Sequence, residues 1–476
     1  MGENSKITPS RVGELMFDIP ADSLKELLKI REKEGKWIDN ENQVGILKTL
    51  EALTCFASMS NYYDNLRRLD SSFNLVKIPE EILKDDIESI LSDIREMGYP
   101  PYPYLKEDFD KNNIVVQKGK TDFTETVAFV VTTFLDLLEY ANIVYKKSKF
   151  LHKDTPLYKE LLDNIKNGVE WLKNNVILDE DGESIYWSWS GKDISNIPSV
   201  YFTWDAVVAL SESVQSRFSP ISEDEKEGIK ELLRGVSKWL SKIIVKDEDF
   251  PERDRYRIKY RRFGDSFSGR HESLLIYITS IIDWLRQAEV YVNEELILKV
   301  LKTVVDFYKS GEANVKFKSG QHLLRLEKEV TGLDHPINLE YEDKSFDYVM
   351  VSALSWYSWA FNEKKVLIIE EDLYKQVINF VTPIAYERVV KTRREDNKLW
   401  SQDEFNIYLT QRALESIISF LRYVYPYTVQ RLLTTKQAVE LAVKETLKEI
   451  VPEIEERLIS RILNMLKISK SKGKEA

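Results

Sequence analysis

The chain repeats a two-part helical pattern six times, and repetition on that scale restricts it to a few architectures. In each unit a first, amphipathic run often ends in a bulky aromatic: Trp37, Trp171-Leu172, Trp239-Leu240, Phe307-Tyr308 and Tyr386. A long loop follows, then a more apolar run opened by a polar residue. Taking Gln43, Glu125, Thr203, Glu272, Asp347 and Glu404 as equivalent gives intervals of 82, 78, 69, 75 and 57 residues. In one first run Leu162, Ile165, Val169 and Leu172 share a face, as an outer helix requires. Second runs such as Val200–Val214 and Phe346–Phe361 are apolar nearly all round, which predicts helices buried inside. No pair can bury its apolar face alone, so the pairs must pack side by side. The expected fold is all-α: an (α/α)6 toroid of six helical hairpins with long inter-helix loops. An open superhelical solenoid of helix pairs is the runner-up.

The 476 residues are 43% apolar and 11% aromatic, enough for a core of that size. The expected organisation is an N-terminal arm over 1–21, the toroid over 22–427, a helical extension over 428–467 and a basic flexible tail over 468–476. In the extension, Thr434–Ile450 and Glu453–Leu466 read as helices broken at Pro452. Ile454, Leu458, Ile462 and Leu466 form an apolar stripe, which either packs on the outer ring or docks a protein partner or a second copy of the chain.

Several chemistries find no residues here. Cys55 is the only cysteine, and His152, His271, His322 and His335 the only histidines, with no metal-ligand spacing among them. Neither a metal nor a cofactor is expected. No glycine-rich phosphate loop occurs, and Gly264-Asp265-Ser266-Phe267-Ser268-Gly269 is not a nucleophile elbow. No stretch of 18 uncharged apolar residues predicts a membrane span, and Met1–Lys6 lacks the apolar core of a secretory signal. Together with the lone cysteine, these features predict a cytoplasmic protein without membrane partners. Abundant Lys, Glu and Ile with scarce Cys and Met resembles a thermophile's composition.

In the third unit, Trp171-Leu172, Asp181-Gly182, Trp187, Trp189 and Tyr201-Phe202-Thr203-Trp204-Asp205-Ala206 resemble a repeat of the terpenoid cyclase and protein prenyltransferase β-subunit toroids. The resemblance implies the scaffold. It does not imply the chemistry, because Asp179-Glu180-Asp181 and Asp247-Glu248-Asp249 both stop short of the protonating Asp-x-Asp-Asp. Likewise Asp85-Asp86-Ile87-Glu88-Ser89 lacks the last Asp of a magnesium–diphosphate motif, and the zinc ligands of prenyltransferases and lanthionine cyclases have no counterparts.

In a toroid the inner helices run parallel, so their N-termini and the loops inside each pair meet at one mouth. Although the chain carries a net charge of −11, loops at that mouth are basic. Residues 252–270 hold seven basic side chains against three acidic ones; within them Arg255, Arg257, Lys259 and Arg261 alternate with Tyr256, Ile258 and Tyr260, predicting a β-hairpin strand with one cationic face. Lys316, Lys318, Arg393 and Arg394 add to the expected anion-binding rim, for nucleic acid or a phosphorylated ligand. Trp187, Trp189 and Trp204 form an aromatic loop that fills space or stacks on a sugar or cation. Glu125, Asp205, Asp347 and Glu404, with His271 and Glu272, are the catalytic candidates; helix capping alone also places acids there.

The basic rim and the missing catalytic motifs point to a non-catalytic binding or scaffold subunit of a multiprotein assembly, with a polyanion at its mouth. The alternative is a toroid-class enzyme, acting on a carbohydrate or an isoprenoid through mouth carboxylates. A purely structural interaction protein is the third reading. The state of the ring's centre separates them: plugged for a scaffold, lined by facing carboxylates for an enzyme.

Overall fold

The computed structural model describes residues 7–37, 46–67, 76–101, 123–146, 148–188, 191–192, 198–246, 248, 256–258, 271–309, 345–362, 371–400 and 407–425. Twelve α-helices lie among them: α1 (Pro9–Glu34), α2 (Ile46–Arg67), α3 (Glu80–Met97), α4 (Phe123–Val144), α5 (Pro156–Asn174), α6 (Val200–Gln215), α7 (Glu223–Ile243), α8 (His271–Gln287), α9 (Glu294–Lys309), α10 (Ser345–Asn362), α11 (Glu371–Ile384) and α12 (Ile407–Tyr423). A π-helical turn, Ala385–Val390, continues α11.

The even-numbered helices make the inner ring. Each packs on the next, and α12 closes back onto α2. The odd helices pack outside them: α3 on α2, α5 on α4 and α6, α7 on α6, α9 on α8 and α11 on α10, while α1 covers the seam between α12 and α2. The solenoid would leave that seam open. Inner neighbours are parallel because their contacts deepen together: Thr54 meets Thr133 at 2.7 Å, and one turn on Ser58 donates to Asp136 at 3.4 Å. The ring belongs to a compact unit spanning Met1–Tyr423.

The helices start where their sequences allow it. Thr8 caps α1 ahead of Pro9, Thr155 caps α5 ahead of Pro156, and Ser222 and Glu225 form a capping box on α7. Helix α1 therefore starts inside the stretch expected to be an arm, and Pro20 lies buried within it. Helix α4 is long and apolar enough to cross a membrane, but its side chains pack inside the ring.

One device recurs in the loops. The Trp187 indole donates to the Leu172 carbonyl of α5 at 2.9 Å, and its backbone N–H donates to Thr203 in the first turn of α6 at 3.0 Å. Trp400 does the same between Val389, at 2.9 Å, and Thr410 of α12, at 3.3 Å. Both indoles are fully buried. Each tryptophan thereby satisfies a carbonyl near an outer helix's end and a loop amide at once, fixing where the next inner helix begins.

Two short antiparallel hairpins complete the described elements. β1 (Ile177–Leu178) pairs with β2 (Ile185–Tyr186), and β3 (Ile244–Lys246) with β4 (Tyr256–Ile258). The first lies on α7 at Gly235, where a Cβ would stand 2.6 Å from Ile185 Cδ1 and 3.0 Å from the Glu183 carbonyl, so only glycine admits the approach. Lys238 holds Glu183 at 2.7 Å, and Lys242 pairs with Asp181. The second hairpin covers Tyr256–Ile258 of the alternating strand expected over residues 255–261, with Arg257 opposite Val245; the rest of that stretch lies outside the described residues.

Candidate functional site

Inner helices should be buried all round, yet each of five carries a half-exposed stripe. On α4 it is Glu125, Thr132, Asp136 and Glu139; on α6, Tyr201, Val208 and Glu212; on α8, Ser280, Asp283 and Gln287; on α10, Ser352 and Trp359; on α12, Tyr408, Glu415 and Ser419. The spacings of three, four and seven put each set on one face. Since outer helices cover the opposite faces, this stripe faces the ring axis. Nearly every member is polar or aromatic, so the centre is a polar column rather than an apolar plug.

At the N-terminal level of the column the side chains converge from four helices. Tyr201 of α6 donates its phenol hydrogen to Glu125 Oε1 of α4 at 2.6 Å, a short charge-assisted bond. Its ring packs edge-on against Tyr277 of α8 at 5.4 Å and beside Trp204 at 5.8 Å. The Trp204 indole donates to Ser280 at 2.9 Å. Asp205, one turn below Tyr201, is 5% exposed. From α12, the Arg412 guanidinium lies over Trp204 at 4.4 Å, Tyr408 at 5.0 Å and Phe129 at 5.6 Å. Burial, then the charge of Glu125, pushes the Tyr201 phenol well above its ordinary range, so it remains a donor.

Below that level Glu415 takes two bonds at once, from Gln411 Nε2 and from Arg412 Nη1, both at 3.0 Å. Deeper still, burial and then the Glu139 and Glu415 charges push Asp136 upward, and burial followed by Asp136 does the same to Glu212. Asp283 is pushed up to about 7 by burial, against a hydrogen bond from Gln287. Cys55 is buried and its thiol is raised by burial, then by Glu415 and Glu51, which makes it inert rather than nucleophilic. Among the described residues no three His, Cys, Asp or Glu side chains form a group able to hold a metal ion.

Of the residues singled out from the sequence, Glu125, Asp205 and Trp204 come together at this level. Trp187 does not: it is a buried loop anchor. Arg393 is bound internally, donating to the Lys398 carbonyl at 2.9 Å and lying 5.8 Å from the Trp400 ring, and Arg394 pairs with Asp396 at 2.5 Å. Both side chains brace their own loop, and Arg393 also lies 3.9 Å from Asp22 of α1. Glu404, Arg255, Lys259, Arg261, Lys316, Lys318, Trp189, Ile454, Leu458, Ile462 and Leu466 lie outside the described residues, as do the side chains of His271, Glu272, Asp347 and Arg257. The sequence reading missed Arg412, Glu415, Asp136, Glu212 and Asp283. Their signal was present: polar residues at helical spacing inside runs otherwise apolar all round.

These features define an (α/α)6 toroid with an acidic, aromatic-lined axis. No protein-family model and no curated protein matches the chain. Among solved structures it is similar to the GH76A α-1,6-mannanase from Salegentibacter sp. HEL1_6, with 12% identity and a TM-score of 0.46 over 87% of this chain and 99% of that one. It is also similar to an inactive variant of the same mannanase in complex with α-1,6-mannotetrose, with 10% identity and a TM-score of 0.44 over 86% of this chain and 98% of that one.

The expectation of a non-catalytic scaffold with a polyanion at its mouth is therefore corrected. The axis is lined by the carboxyl groups of Glu125, Asp136, Asp205, Glu212, Asp283 and Glu415 rather than by a basic surface. The lean away from an enzyme, which rested on that scaffold reading, is withdrawn with it. Of the terpenoid cyclase and prenyltransferase resemblance only the toroid stands.

Proposed function

We propose that the chain is a carbohydrate-processing enzyme of the toroid class, with Glu125 and Asp205 as its working carboxylates. The carrying observation is the convergence of the Tyr201–Glu125 hydrogen bond with Asp205, Arg412 and the Trp204 and Tyr408 rings. Glycosidic cleavage needs one carboxyl group to protonate the leaving oxygen and a second to stabilise the oxocarbenium centre or to activate water. Glu125 is half-exposed to the axis and is oriented by the Tyr201 hydrogen bond, which suits the second role. Asp205 takes the first. The Tyr201 and Tyr408 faces, both half-exposed, supply the apolar surface on which a sugar ring lies.

The purified chain is incubated with a panel of end-labelled α- and β-linked gluco- and manno-oligosaccharides, and the products are separated by size. Shortened products from at least one member, absent in the E125Q variant, are expected. No cleavage of any member, with the folded ring intact by circular dichroism, contradicts the proposal.

A further inference from the structure

Arg412 is unusual in where it reaches. Its helix, α12, has α2 and α10 as ring neighbours, yet the guanidinium meets Phe129 on α4 and Trp204 on α6, on the far side of the axis. The residue is 6% exposed, and Nη1 is tied to Glu415 of its own helix at 3.0 Å. That bond and the ring faces fix the plane of the guanidinium from both ends. Its charged and titratable neighbours are Tyr408 and Glu415 on α12, Tyr201 and Asp205 on α6, and Cys55 on α2. Glu125 is one hydrogen bond further, through Tyr201.

We propose that Arg412 is the positioning residue of the site, a strut across the ring axis that holds Trp204 and Tyr201 in place, and through them Glu125 and Asp205. This rests on the enzymatic reading above for its catalytic consequence. Its geometric consequence stands without it. An arginine confined to stabilising α12 would need Glu415 and no partner on α4 or α6. A strut fixes spacing across a gap that the backbone does not bridge, and displacements near 1 Å at a reacting centre cost about 100-fold in rate. Lysine keeps the charge but loses the planar face that lies on three rings.

The test compares wild type with R412K and R412M, each first shown to be folded by circular dichroism and thermal melting. In crystal structures of the variants, the Tyr201–Glu125 bond of 2.6 Å is expected to open beyond hydrogen-bonding distance in R412M, and the Trp204–Ser280 bond of 2.9 Å to lengthen. On the cleaved oligosaccharide, R412M is expected to lose about 100-fold in kcat with KM within about threefold, and the acidic limb of its pH profile to move upward. R412K is expected to keep the limb and recover part of kcat. Unchanged Tyr201–Glu125 and Trp204–Ser280 bonds in R412M overturn the proposal, whether or not the wild type is active. Displaced bonds in a chain that cleaves no glycan leave the strut standing and overturn only the assigned activity. Should R412M fail to fold, the same two distances are read in R412K, where lengthening is expected and unchanged bonds overturn the proposal.

Discussion

Glu125→Gln lowers kcat on the cleaved oligosaccharide by about 1,000-fold, and Asp205→Asn does so by a similar factor. The amide introduced at position 125 keeps the shape and still accepts the Tyr201 hydrogen bond, so the loss isolates the charge and the proton rather than the packing. Tyr201→Phe removes one donor while leaving both carboxylates, and its cost is smaller, about tenfold. Because Glu125 and Asp205 act on one bond, the double variant is barely slower than either single one. Single-turnover kinetics with an end-labelled oligosaccharide measures all four. A Glu125→Gln variant within about threefold of wild type removes that residue from the chemistry.

The lower part of the axis sets the second large effect, on stability. Asp283 is raised to about 7 by burial, and Asp136 and Glu212 are raised by burial and by neighbouring carboxylates. A carboxyl whose pKa is higher folded than unfolded binds more protons in the folded state. Its stabilising contribution is therefore complete below about pH 4, and it is lost as the pH rises through the folded value. For Asp283 the window runs from about pH 4 to about pH 7, and the full loss is about 4 kcal/mol at most. Melting temperature should thus fall by several degrees between about pH 5 and about pH 8. Asp283→Asn and Asp136→Asn, which cannot ionise, should each flatten that fall and melt higher than wild type at the alkaline end. Differential scanning calorimetry across the range decides it. A wild-type melting temperature that rises across that interval contradicts the upward shift of these acids.

The hairpins were readable because their signal is local. Val200–Gln215 and Ser345–Asn362 are too apolar to sit outside, Pro156–Asn174 has one apolar face, and the six polar openings fall within three residues of the inner helix starts. The column was not readable, because facing residues come from helices far apart in sequence: Arg412 lies 208 residues from Trp204. In one dimension Asp136 or Glu415 is a charge interrupting an apolar run; only ring closure turns such interruptions into a shared lining. Loop charge gave no partners. Arginines crowd the loops in the sequence, but Arg393 and Arg394 are absorbed by Lys398, Trp400 and Asp396 of their own loop. Tryptophan was ambiguous for a related reason. Trp187 and Trp204 are both buried aromatic residues near an inner helix start, and only the partners tell them apart: a carbonyl of α5 for one, the guanidinium on the axis for the other.

The most direct measurement is a crystal structure of the E125Q variant soaked with the oligosaccharide that the wild type cleaves. A sugar ring is expected at the N-terminal end of the axis, against Tyr201 or Tyr408, with its glycosidic oxygen within hydrogen-bonding distance of Asp205 or of the side chain at position 125. Sugar bound on the outer helices, with the axis closed by side chains at Tyr201 and Tyr408, would contradict an active site on the ring axis.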